Sequence, residues 1–128
     1  MTLAEMIAAV DKLRPNAFDK DQKTGWINEV EHRAYHQVIS RALWHDEAFY
    51  GPYEYERDAE RELLIEDAHK DVYETYLLAR MDHANAEIDR YNMDASMHQA
   101  AWDDYARDFR RRNYPKPYET AVFTIGNT

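Results

Sequence analysis

The sequence predicts an all-α fold: a small helical bundle ending in a long C-terminal helix, followed by an extended, β-like arm. Three observations carry this. Apolar residues recur at three- and four-residue intervals through most of the chain, as one face of a helix requires. Between about residue 59 or 67 and residue 112 there is neither glycine nor proline to interrupt such a helix. After Pro115-Lys116-Pro117 the composition switches to Ala121-Val122-Phe123-Thr124-Ile125, which is strand-like. A length of 128 residues with 45% hydrophobic content suits one core, so we expect a bundle over residues 1–113 and an arm over 114–128.

Thr2 and Glu5 have capping-box spacing, which predicts a helix over roughly residues 3 to 13 with Leu3, Met6, Ile7, Val10 and Leu13 on its apolar stripe. Arg14-Pro15-Asn16 stops it, because the residue before proline avoids the α region. Asp19 and Gln22 repeat the capping spacing, and Ile27, Val30, Ala34, Val38 and Ala42 then predict a second helix over about 20 to 44. Gly25, near its start, softens only that boundary. Residues 45–58 carry Gly51-Pro52 among Phe49, Tyr50, Tyr53 and Tyr55 and read as a loop. Those aromatics either fold over the bundle or form an interface patch, since tyrosine is enriched in contact surfaces. From Tyr73 through Leu77, Met81, Ala84, Ile88, Tyr91, Ala95, His98, Trp102 and Tyr105 to Phe109 a heptad-like seam stays in phase. It favours one long helix over two meeting near Tyr91–Asp94, where Asn92 would be an N-cap.

The formal charge of −9 argues against general binding to phosphate backbones. The absence of cysteine removes disulfides, thiolate nucleophiles and sulfur ligands. Met1-Thr2-Leu3-Ala4-Glu5 has no basic leader and no segment approaches a membrane span, which predicts a soluble, unprocessed chain with no membrane partner.

Glu29 with His32, and Glu66 with His69, have the spacing by which two helices contribute to a di-metal carboxylate centre. A bundle oxidase is the minor alternative they raise. Chance supplies such spacings in a chain with 25 acids and 6 histidines, and Glu29 and His32 straddle the Ile27–Val30–Ala34 stripe. His32 and His36 lack the glutamate of a zinc-protease helix, and seam residue His98 reads as a core histidine with one hydrogen bond. We therefore expect no enzyme, no cofactor and no metal. Arg107, Arg110, Arg111 and Arg112 form the only basic cluster. They complement a helix C-terminus or dock an acidic partner or nucleic acid. In the arm, Tyr118, Val122, Phe123 and Ile125 are candidate contacts for strand addition to a neighbour; a disordered or folded-back tail is the other reading.

Two stretches carry a family likeness. One is Leu13-Arg14-Pro15-Asn16-Ala17-Phe18-Asp19 followed by Lys23, Trp26-Ile27-Asn28-Glu29-Val30-Glu31 and Arg33. The other runs through Tyr73, Tyr76-Leu77, Asp82, Asn85, Glu87 and Tyr91-Asn92 to Trp102, Tyr105-Ala106 and Phe109. Together they resemble the head-tail connector, or neck adaptor, proteins of tailed phages of Gram-positive bacteria. The resemblance implies a structural protein of the virion neck, made in the host cytoplasm. It would form a homo-oligomeric ring, commonly twelve-fold, under the portal protein. The ring would extend the DNA channel without binding DNA specifically and receive the stopper or tail-completion protein.

Overall fold

The computed structural model of the protein describes residues 1–117. Thr2 caps α1 (Leu3–Leu13): its hydroxyl accepts from the Glu5 amide while the Glu5 carboxylate accepts from the Thr2 amide. Leu3, Met6, Ile7 and Val10 are buried, whereas Leu13 is exposed. Leu13 is the last helical residue, and the stripe has turned away from the core before it. Asn16 then accepts from the Phe18 amide, an Asx turn that redirects the chain. Asp19 caps α2 (Lys20–Gln37) by accepting from the Gln22 amide at 2.7 Å.

This second helix is shorter than the expected 20 to 44. Val38 leaves helical geometry, a 3-10 turn covers Ile39–Arg41, and Ala42 is extended. A tertiary pairing takes over there: Leu43 donates its amide to the Tyr114 carbonyl at 2.7 Å, and Lys116 donates to Arg41 at 2.8 Å. Ala42 and Pro115 thus form an antiparallel bridge. The first residues of the expected arm, 114–116, therefore pair with 41–43.

After a one-turn α3 (Tyr55–Asp58) the chain stays irregular to residue 66. A 3-10 turn at Asp67–His69 then leads into α4 (Asp71–Ala84). The helix expected from 59 or 67 is displaced because Leu63 and Ile65 bury at a period of two, with Leu64 pointing outward, and Leu63 donates its amide to the Met1 carbonyl.

The long seam is two helices, α4 and α5 (Ile88–Arg112). The chain reverses at Asn85-Ala86-Glu87, well before Asn92, which lies inside α5. A Schellman motif makes the turn: the Glu87 amide donates to the Asp82 carbonyl at 2.9 Å and the Ala86 amide to His83 at 3.2 Å. Ala86 takes the left-handed position, with φ 57°, where glycine is usual. The break leaves seam residues Ala84 and Ile88 exposed.

α4 is the central element, packed against α5, α2 and α1. It is therefore buried around much of its circumference, including Val72, Tyr73, Leu77 and Met81. Among the described residues no strand longer than an isolated bridge occurs, and the protein is a small all-α bundle. No described helix is long and apolar enough to cross a membrane.

Candidate interaction surface

Polar residues inside the bundle are used to hold it together. Glu31, on α2, is completely buried and accepts from the Tyr53 hydroxyl at 2.7 Å, the Leu64 amide at 2.8 Å and the Tyr73 hydroxyl. Burial raises its pKa while those three donors pull it back. The cluster ties both irregular segments to the α2–α4 interface. Burial raises the pKa of Tyr105, with the Glu31 carboxylate adding to it, and its buried hydroxyl has no partner among the described residues.

A second internal cluster joins α1 to the α4–α5 hairpin. Arg14 donates from Nη1 to Asp82 at 2.6 Å and from Nη2 to Asp94 at 3.2 Å. Both carboxylates are buried, so one guanidinium serves two acids. Their spacing in the sequence does not mark these two acids as internal; the folded pairing does.

The di-metal spacings do not converge. Glu29 accepts from the Tyr76 hydroxyl, and His32 lies exposed against His36, their ring centroids 4.3 Å apart. Glu66 and His69 instead meet Asp108, and these three offer ligand atoms within 4.8 Å of one another. A cation already spans that cluster: the Arg112 guanidinium pairs with Glu66 and, at 3.2 Å, with Asp108. His98 is a core residue whose Nδ1 lies 3.1 Å from the Val72 carbonyl. Burial lowers its pKa, so the neutral ring donates from Nδ1 to that carbonyl.

The aromatic loop folds over the bundle. Tyr53 is buried on Glu31, Phe49 stacks on Tyr35 at 5.1 Å, and Tyr55 lies under the Lys20 ammonium. Tyr50 is half exposed and donates to Asp58 at 2.7 Å. The arm residues Tyr118, Val122, Phe123 and Ile125 lie outside the described residues.

The arginine cluster divides. Arg107 pairs with Asp104 at 3.8 Å, Arg111 with Asp108, and Arg112 with Glu66 and Asp108. Arg110 turns the other way, toward the Gln37 carbonyl at 3.3 Å, and faces a groove of about 600 Å³ between the 37–42 segment and the end of α5. Val38, Ala42, Phe109 and Pro115 give this groove an apolar lining, and Arg41 and Lys116 join Arg110 on it. Leu43, Trp44 and Tyr114 are exposed on these same paired segments, at 59%, 61% and 83%. The Trp44 indole donates to Asn113, which also lines the groove. Arg41, Trp44 and Lys116 escaped the sequence reading because about 70 residues separate the two sides. A lysine between two prolines, beyond a run of arginines, was the available signal.

These elements define a small all-α protein with a basic, partly apolar end. Comparison of the chain with protein-family models, curated proteins and solved structures finds no match.

Proposed function

We propose that the protein is a structural head-tail connector of a tailed phage, assembling as a ring beneath the portal and receiving the stopper or tail-completion protein. What supports this most is that residues of the two resembling stretches meet across the bundle. Arg14 of the first stretch holds Asp82 of the second, and the Arg33 guanidinium lies 4.0 Å over the ring of Trp102. The stretches therefore belong to one folding unit, as a shared family core requires.

Surface properties agree with a ring. A cyclic assembly needs two dissimilar faces on each subunit. The exposed Ile88, Met93 and Met97 on the N-terminal half of α5 are a candidate for one of them. A charge of −9 repeated around a channel would repel DNA phosphates and let the duplex slide. This reading places the protein in the virion neck and assigns it no catalytic role.

Mixing the purified protein with portal rings and imaging the products tests the proposal. An added ring beneath the portal is the expected result. A protein that stays monomeric and leaves the portal bare would overturn it. A defined small oligomer indifferent to portal would instead identify another kind of helical interaction module.

A further inference from the structure

The groove at the end of α5 stands out by its charge. The chain has 25 acidic and 16 basic residues, and most arginines sit beside a carboxylate. Yet no acid lines this groove, and Arg41, Arg110 and Lys116 have no carboxylate partner among the described residues. Three unpaired cations converging on one apolar trough is a poor arrangement for an isolated subunit. Among the described residues their mutual repulsion is uncompensated, and apolar surface of Phe109 and Pro115 stays open to water.

We infer that this groove is a docking site for an acidic peptide segment of a partner protein, one that carries apolar side chains between its carboxylates. The cations would pair with the carboxylates, and the lining would receive the apolar side chains. Leu43, Trp44 and Tyr114, exposed on the segments that frame the groove, extend the apolar contact beyond it. A peptide fits better than a nucleic acid. Polyanion binding draws its affinity from many phosphate contacts, and three cations on a body of charge −9 supply few. The inference does not depend on the neck reading, since a helical module of any assembly can use such a site.

The test uses the full-length protein and a fluorophore-labelled synthetic peptide in which glutamate alternates with phenylalanine and leucine, read by anisotropy and by Trp44 emission. The peptide should bind, bind more weakly as salt rises, and lose at least about tenfold in affinity in the Arg41→Glu/Lys116→Glu variant. These side chains are exposed, and circular dichroism would verify that the variant folds. Lys12→Glu/Lys70→Glu changes the net charge equally at exposed sites away from the groove and should bind as the parent does. Equal loss in both variants would reduce the effect to overall charge and overturn the site. So would failure of the peptide to bind. Two further results would also overturn it by naming a different occupant. One is tighter groove-dependent binding of a single-stranded oligonucleotide. The other is groove-dependent binding of a synthetic Tyr118–Thr128 peptide in preference to the acidic one.

Discussion

Asp82 is one acid among many, yet its surroundings set it apart. Its side chain is almost fully buried, Asp94 shares Arg14 with it, and one of its oxygens has no partner among the described residues. Burial, with Asp94 adding to it, raises its pKa to about 6, against the pull of Arg14. The folded protein therefore holds a proton here that the unfolded chain has released by about pH 4 to 5. Stability from this group is fully present below its unfolded pKa and is lost as pH rises through about 6. Asp82→Asn keeps an oxygen for Arg14 and removes the titration. In urea unfolding the variant should therefore improve relative to the parent as pH is raised from about 4.5 to about 7. A stability difference independent of pH would show that Asp82 does not titrate in this window. Nothing in the sequence marked Asp82 and Asp94 as internal, because an acid flanking a helical seam has the same spacing whether an arginine from another helix reaches it or water does. Glu31 was hidden for the same reason: its three donors come from residues 53, 64 and 73.

Elements whose boundaries depend on side chains at short offsets were legible. Thr2 with Glu5 and Asp19 with Gln22 announce α1 and α2, and both caps form. Boundaries set by backbone geometry or tertiary pairing were not. α4 begins at Asp71 behind Lys70, an N-cap that makes no side-chain cap bond, after a segment pinned by pairing with the N-terminal residues. Its end is a Schellman turn whose left-handed position holds alanine, so no glycine signalled it. Ala86 is the testable residue of that turn. For an L-residue the left-handed region costs about 1–2 kcal/mol, which glycine avoids at the expense of greater freedom in the unfolded chain. Ala86→Gly should leave stability unchanged or raise it by up to about 1 kcal/mol, because the two effects oppose each other. Ala86→Val should lower it by about 1–2 kcal/mol, since β-branching makes the same conformation harder to reach. Chemical unfolding of the two variants checks this, and equal behaviour of glycine and valine would mean that the turn does not rely on the left-handed conformation.

Across the whole molecule, burial is concentrated around α4, and this decides which parts should open independently. α4 is packed against α1, α2 and α5, whereas residues 88–90, 92 and 93 at the start of α5 are exposed. Ile88 is 70% exposed and Met93 62%, and the first buried residue of α5 is Asp94. The N-cap, Glu87, makes no side-chain cap bond, so the start of α5 has neither tertiary burial nor a cap to resist fraying. Farther along, Ala101, Trp102, Tyr105 and Ala106 are buried. Native-state hydrogen exchange should thus divide α5: amides over residues 91–93 should exchange at least about a hundredfold faster than those over 102–108. The latter should approach the protection of Leu77 to Met81 in α4. Uniform protection along α5 would show that the helix opens as one unit and that its exposed half is held by something other than burial. The same gradient bears on assembly. If Ile88, Met93 and Met97 form one of the contact faces of a ring, protection over residues 91–97 should rise when the protein is bound to portal, while the already buried half of α5 changes little.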